Sequence, residues 1–328
     1  SVVFEQFVRL LIHCGLPSKD LNLIHCRGSE MGKLIEDAKE SIRLIQFTGS
    51  NKVAEKLSNT MNGLVRLEDA GFDWKIIGPD FDPLWLNFVA WQSDQDAYNA
   101  SGQKCSAQSI LICHKNWSSA LLPKLKVLAS QRNTTDLSIG PVLSWSNEDM
   151  LDHIKAILDL PGTILLFGGR VLNNHQVPEC YGMLEPTAIK VPLSLILGDD
   201  FELITTELFG PFQIIIEYDD NDLSKITSIL ERITNRLTAA IVSNEIPFQQ
   251  KILSMTVNGT TYCGMRARTT GAPQNHWFGP SGDPRAAGIG TPEAIRNTWS
   301  GHREIIFDQG PLATNWQPPK SSEHSSEK

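Results

Sequence analysis

Residues 42–68 read Ile42-Arg43-Leu44-Ile45-Gln46-Phe47-Thr48-Gly49-Ser50-Asn51-Lys52-Val53-Ala54-Glu55-Lys56-Leu57-Ser58-Asn59-Thr60-Met61-Asn62-Gly63-Leu64-Val65-Arg66-Leu67-Glu68. Residues 42–47 are an apolar run of strand length, Thr48-Gly49-Ser50 is a turn, 51–61 is a helix, and Val65–Glu68 is a second strand. Strand, helix and strand at this interval form the unit of a parallel, doubly wound sheet, so the stretch predicts an α/β fold. Upstream, Phe4, Phe7, Val8, Leu11 and Ile12 fall at helical spacing, with Gly15-Leu16-Pro17 as a stop. A short strand at 21–25 and a helix at 31–38 are expected next.

Downstream of Pro79 the pattern restarts. It predicts helices at 84–98, 121–132 and 149–158, and strands at 109–114, Ile164–Phe167, 187–191 and Phe212–Tyr218. Two lobes follow, with a boundary near Gly78-Pro79: residues 1–78 as part of a nucleotide-type lobe and 79–275 as a second lobe with a parallel-rich sheet. Residues 258–290 are rich in Gly, Thr, Pro and Arg with little periodicity, and an irregular stretch of that length usually lines a functional cleft. Residues 276–317 are expected to return to the first lobe. Residues 318–328, dominated by Ser, Lys and Glu, are expected to be a disordered tail.

The 328 residues carry a formal charge of -8, which removes the broad cationic footprint that nucleic-acid binding draws on. No apolar run approaches the roughly 20 residues needed to span a bilayer, so no membrane insertion is expected. The chain opens in an amphipathic helix already under way, without a secretory or Arg-rich targeting segment, as though it began in mid-domain. The six cysteines (Cys14, Cys26, Cys105, Cys113, Cys180 and Cys263) show neither a CxxC pair nor a zinc-type Cys/His cluster. Reduced thiols and no metal site are the expectation.

Four segments have chemical potential. Thr48-Gly49-Ser50 lies between a strand and a helix start, where free amides and the helix dipole favour an anion; the same pattern also simply caps a helix. Leu67-Glu68-Asp69-Ala70-Gly71 puts acids at a strand end, where partial burial can tune a carboxylate into a general base, or where it can be a solvated turn. Cys105 follows Ser101-Gly102-Gln103-Lys104 in a small-residue setting that lets a ligand approach closely. Lys104, if it faces the sulfur, lowers the thiol pKa toward the reactive thiolate. The other five cysteines read as inert and buried. Glu207-Leu208-Phe209-Gly210-Pro211 exposes an acid at a Gly-Pro turn, and a carboxylate there can hold two ribose hydroxyls.

In this order the segments resemble the aldehyde dehydrogenase superfamily: Phe47-Thr48-Gly49-Ser50, Leu67-Glu68-Asp69-Ala70-Gly71, Gly102-Gln103-Lys104-Cys105 and Glu207-Leu208-Phe209-Gly210-Pro211. The finer resemblance is to the plant-type 1-pyrroline-5-carboxylate dehydrogenases, carried by residues 67–75, 94–109 and 257–302. The last of these includes Arg268-Thr269-Thr270-Gly271-Ala272-Pro273-Gln274-Asn275-His276-Trp277-Phe278-Gly279-Pro280. It implies an aldehyde dehydrogenase fold with a partial Rossmann-type lobe, NAD as cofactor, and oxidation of glutamate γ-semialdehyde within proline breakdown. Cys105 would be the nucleophile and Glu68 the base. Thr48, Gly49, Ser50, Glu207 and Phe209 would contact the cofactor, and Thr270, Gly271 and Ala272 the substrate carboxylate. The resemblance further implies a homo-oligomer, the mitochondrial matrix, and a longer N-terminal portion bearing a ribose-binding Lys and an oxyanion-hole Asn. Where the superfamily reads Glu-Leu-Gly-Gly-Lys, this chain reads Glu68-Asp69-Ala70-Gly71-Phe72, as the plant-type members do, which keeps Glu68 and crowds its turn. Another aldehyde substrate, or a non-catalytic interaction module, are the competing readings.

Overall fold

The computed structural model describes residues 2–69, 71–234, 236–270 and 276–318. Along the chain the elements are α1 (Val2–His13), α2 (Gly28–Ala38), β1 (Ile45–Thr48), α3 (Asn51–Thr60), β2 (Val65–Glu68), β3 (Asp73–Ile77), α4 (Leu86–Tyr98), β4 (Gln108–His114), α5 (Lys115–Ser130) and α6 (Asn147–Leu158). There follow β5 (Ile164–Phe167), β6 (Thr187–Lys190), α7 (Leu193–Leu197), α8 (Phe201–Ile204), β7 (Phe212–Tyr218), α9 (Leu223–Arg232), β8 (Thr238–Val242), α10 (Ile246–Leu253), β9 (Thr260–Cys263) and α11 (Pro292–Trp299).

The strands form two sheets. β1 and β2 pair in parallel with Ile45 opposite Val65 and Thr48 opposite Glu68, as the βαβ reading of 42–68 predicts. The second sheet has seven strands in the order β5-β6-β7-β4-β3-β8-β9, parallel throughout except for the β5–β6 pair at one edge. Its central strands are near-continuous apolar runs because both faces are covered. On one face Trp74, Ile76, Ile110, Ile112, Ile214 and Ile216 pack against α6 and α9 through Ile154 and Ile226. On the other, Ile77, Leu111, Cys113, Ile215 and Val242 meet α4 and α5 through Val89, Trp117 and Leu121.

Two expectations shift. Residues 21–25 form no strand. β3 (Asp73–Ile77), absent from the expected elements, is a central strand of the seven-stranded sheet, so the change of sheet falls between Glu68 and Asp73 rather than near Gly78-Pro79. The reason is chemical: Asp73 and Lys75 make the segment look solvated, yet both side chains are fully buried, Lys75 against Asp96 and Asp73 with Oδ1 accepting from the Thr238 N–H while its Oδ2 has no partner among the described residues. Part of the C-terminal segment lies beside the small sheet. Leu67 donates its N–H to the Arg285 carbonyl at 2.9 Å and accepts from Ala287 N–H at 2.8 Å, so 285–287 runs alongside β2.

The small lobe is thinly packed. α1 and α2 bury no residue, and Val3, Phe4 and Phe7 lie exposed on α1. Among the described residues no helix is long and apolar enough to cross a membrane, and no group of three or more His, Cys, Asp or Glu is placed to hold a metal ion. The tail at 319–328 lies outside the described residues.

Candidate active site

The C-terminal ends of β1 and β2, the segment after α4 and the loop before β7 converge on one cavity of about 540 Å³, lined by Thr48, Gly49, Ser50, Glu68, Gly71, Cys105, Ser144, Trp145, Glu207 and Phe209. Ligand sites of open α/β sheets sit at the carboxyl ends of the strands for this topological reason. All seven candidate cofactor and catalytic residues are in it.

Cys105 is presented by an unusual backbone. α4 ends at Tyr98, and Ala100, Ser101 and Gly102 then adopt φ of 55°, 56° and 68°, three consecutive left-handed residues, two with a Cβ. Such residues persist only where surrounding contacts fix them. Ser101 supplies one fastening, its hydroxyl donating to the Gly140 carbonyl at 3.0 Å and accepting from the Gly140 N–H at 2.7 Å. Gln103 supplies another, donating to Pro141 O at 2.8 Å and accepting from Leu143 N–H at 2.9 Å. These bonds carry the chain into Ser144 and Trp145, the two wall residues that sequence reasoning missed. Neither belongs to a motif; the only trace of them is Gln103, whose amide reaches a loop about forty residues away. Gly102 is irreplaceable for a second reason: a Cβ there would strike the Gly210 carbonyl, so the Glu207–Gly210 turn rests directly on the nucleophile turn.

The Cys105 sulfur is half-buried, and its thiol pKa is pushed well up, first by burial, then by the charge of Glu68 and the hydrogen bond to it, then by Asp73. Its own backbone N–H opposes this more weakly. Lys104 is not among the groups that act on the sulfur, so the expected lysine activation is replaced by an acid partner. Burial and Glu68 thus both favour the thiol form of Cys105 in the free protein. Of the other cysteines only Cys113 is buried; Cys14, Cys26, Cys180 and Cys263 are exposed, not packed away as expected.

Glu68 ends β2 and is 7% exposed. Its carbonyl accepts from the Gly49 N–H at 3.2 Å, which locks the Thr48-Gly49-Ser50 turn to the strand bearing the base. Gly49's amide is thus spent on protein, and the free groups of the turn are Ser50's hydroxyl and the first amides of α3. Ser50 is the N-cap residue, yet its side chain makes no capping bond, so the plain capping reading does not use its hydroxyl. A serine hydroxyl and the positive end of a ten-residue helix on the cavity wall suit a phosphate.

Glu207 lies against Gly71, where any side chain would collide with the Glu207 carboxylate and stand 2.9 Å from the Cys105 carbonyl oxygen. Burial alone raises its pKa, to about 8. A buried carboxylate without a cation beside it calls for neutral donors, as paired sugar hydroxyls are. These features fit a dinucleotide lying from Ser50 to Glu207 and Phe209.

Thr270 is 7% exposed and turns inward: its N–H and hydroxyl both donate to Asp96 Oδ1, at 3.3 and 2.6 Å. It is not on the cavity wall. Gly271 and Ala272 lie outside the described residues.

The chain belongs to the aldehyde dehydrogenase family, whose model matches residues 1–290. It is 54% identical over 325 residues to "Delta-1-pyrroline-5-carboxylate dehydrogenase 12A1, mitochondrial" of Arabidopsis thaliana, a match covering 98% of this chain and 58% of that protein. It is equally 54% identical, over 324 residues, to a "Probable aldehyde dehydrogenase" of Linum usitatissimum, with the same coverage of 98% and 58%. The chain therefore spans 58% of the length of these plant relatives. Among solved structures, betaine aldehyde dehydrogenase of Staphylococcus aureus aligns with a TM-score of 0.74 at 21% identity over 95% of this chain and 60% of that one. A proline utilization A structure aligns with a TM-score of 0.71 at 20% identity over 85% of this chain and 28% of that one. Both likenesses bear out the fold.

Proposed function

We propose that the complete protein oxidises L-glutamate γ-semialdehyde, the open form of 1-pyrroline-5-carboxylate, to L-glutamate with NAD, as a step of proline catabolism. The observation that carries the chemistry is the convergence of Cys105, Glu68, Glu207, Phe209 and the Thr48–Ser50 turn on one cavity. The choice of aldehyde draws on the 54% identity to the Arabidopsis dehydrogenase.

Glu68 accepts the Cys105 proton, and the sulfur adds to the aldehyde carbon to give a thiohemiacetal. The Cys105 backbone N–H would donate to the resulting oxyanion, a type of contact whose loss typically costs about 100- to 1000-fold in rate. When bound, the nicotinamide cofactor supplies the hydride acceptor that leaves a thioester on Cys105. Glu68, having released its first proton to solvent, then draws a proton from water; the water oxygen adds to the thioester carbon and the Cys105 sulfur leaves. Ser50 and the α3 N-terminus would hold the pyrophosphate, Glu207 the ribose hydroxyls, and Phe209 the nicotinamide ring. The loop of Thr270, Gly271 and Ala272 would meet the substrate carboxylate, with Thr270 acting through its attachment to Asp96. A mitochondrial matrix location and a homo-oligomer belong to the same reading, the first supported by the word "mitochondrial" in the Arabidopsis relative's name.

The test is steady-state NADH formation by the complete protein with glutamate γ-semialdehyde, beside the same assay of this chain alone. Turnover by the complete protein that Cys105→Ala removes is the expected result. Binding of this chain to the complete protein without turnover of its own would favour the interaction-module reading for the chain instead.

A further inference from the structure

A polar row crosses the seven-stranded sheet. It runs from Thr238 of β8 through Asp73 of β3, Gln108 of β4 and Gln213 of β7 to Tyr98 of α4 and Thr187 of β6, and all six residues are fully buried. Its hydrogen bonds have a fixed direction. The Thr187 carbonyl can only accept, so the Tyr98 hydroxyl, 3.0 Å away, donates its one proton there. The Tyr98 oxygen then accepts from Gln213 Nε2 at 2.8 Å, which leaves the Gln213 carbonyl oxygen to accept from Gln108 Nε2 at 2.7 Å. The Gln108 Oε1 is left over, buried and without a partner among the described residues.

The register partner of Gln108 on β3 is Asp73. Its Oδ1 accepts from the Thr238 N–H, and its Oδ2 is a second buried oxygen without a partner among the described residues. Two acceptors on paired residues cannot satisfy each other, whereas one proton on Asp73 satisfies both. Turning both amides over would point Gln108 Nε2 at Asp73, but it would set the Gln213 carbonyl against Tyr98 and take the hydroxyl proton from Thr187.

The charges around Asp73 favour the same state. Burial raises its carboxyl well above the ordinary range; the Thr238 N–H opposes this, and the charges of Glu207 and Glu68 add to it. Lys75, two residues further along β3, is committed to Asp96 at 2.7 Å. An ionised Asp73 would also act on the nucleophile, since its charge is one of those that push the Cys105 thiol up.

We infer that Asp73 is held as a neutral carboxylic acid that donates to Gln108 Oε1, a positioning residue that keeps a further negative charge away from Cys105 when the sulfur ionises. The inference rests on the reading of Cys105 as the nucleophile. Asp73 touches neither aldehyde nor cofactor; it acts through the charge it does not carry.

The experiment compares the complete protein with Asp73→Asn, whose amide reproduces both bonds of the acid: its oxygen accepts from Thr238 and its nitrogen donates to Gln108. Infrared spectra are recorded at neutral pH in H2O and D2O, and iodoacetamide alkylation of the Cys105 peptide is followed against pH by mass spectrometry. The expected result is a carboxylic-acid carbonyl band, shifted by D2O, that the wild type shows and Asp73→Asn lacks, with alkylation rates that agree within about threefold. Any acid band from Glu207 is common to both spectra. Removing a genuine charge would instead speed alkylation about tenfold at neutral pH, and that result, or no acid band lost, overturns the proposal. Should Asp73→Asn fail to fold, Gln108→Leu decides: deprived of its acceptor, the acid band moves to higher frequency, and a band that stays in place overturns the proposal. Neither readout needs an aldehyde, so a protein inactive on glutamate γ-semialdehyde would sink the substrate reading without altering this result.

Discussion

Gly102→Ala, made in the complete protein, puts a number on how tightly the two halves of the site are pressed together. Gly102 has φ of 68°, and an alanine in the left-handed region costs about 1–2 kcal/mol. Its Cβ would also meet the Gly210 carbonyl group, whose carbon lies 2.6 Å away, and backbone cannot rotate aside as a side chain can. Overpacking of this kind adds about 1–3 kcal/mol, for a total of about 2–5 kcal/mol. The control is Gly63→Ala, at φ of 80° with nothing within 4 Å of the new methyl, where only the backbone cost of about 1–2 kcal/mol applies. Any relief comes from moving the Glu207–Gly210 turn away from Cys105. A shift approaching 1 Å there should lower kcat/KM by about 100-fold. Denaturant unfolding and steady-state NADH formation measure the two effects. If Gly102→Ala behaves like Gly63→Ala in both, the turn does not rest on the nucleophile segment as described.

Other outcomes follow from the same geometry. Cys105→Ala should abolish NADH formation, while Cys113→Ala, buried in β4 against the opposite face, should leave most of it; both are read by steady-state assay. Glu207, with its pKa raised to about 8 by burial, is largely protonated at neutral pH in the free protein. Cofactor affinity should therefore rise as pH increases through about 8, with proton release on binding below it, and Glu207→Gln should flatten the profile in a calorimetric titration. The sign for stability is the opposite. A carboxyl whose folded pKa exceeds its unfolded value stabilises at low pH and loses that contribution as pH rises from its ordinary range toward about 8, so Glu207→Gln should gain relative to wild type over that interval. Asp94→Ala should destabilise by about 3–5 kcal/mol, because it strands the Arg132 guanidinium, 7% exposed and 2.5 Å from Asp94. An unfolding midpoint unchanged by that substitution would contradict the buried pairing.

The motifs were legible because each joins a backbone requirement to a reactive group. The βαβ run at 42–68 reads directly as two strands and a helix, and Gly49 within it and Gly71 just beyond it mark close approaches that the structure contains. What hydropathy hid were polar groups inside. Asp73 and Lys75 concealed a central strand, and on α4 the polar Gln92, Asp94 and Asp96 are likewise buried. Only their partners, Thr238, Arg132 and the 269–270 segment, reveal the burial, and those lie from about forty to more than 160 residues away in sequence. Ser144 and Trp145 escaped for a related reason: they reach the cavity through the long-range bonds of Gln103 and not through any local pattern. The state of the sulfur was also beyond sequence, since it depends on which charged neighbour faces it, and that neighbour is Glu68 rather than Lys104.

The central claim is that Cys105 takes the acyl group and Glu68 brings in the water that removes it. Its most direct test is mass spectrometry of the complete Glu68→Gln protein, quenched in acid during turnover and digested with pepsin. The account predicts a thioester increment of the glutamyl acyl group on the peptide holding Cys105, persisting longer than in the wild type. An increment on another cysteine, or no acyl species while NADH still forms, contradicts it.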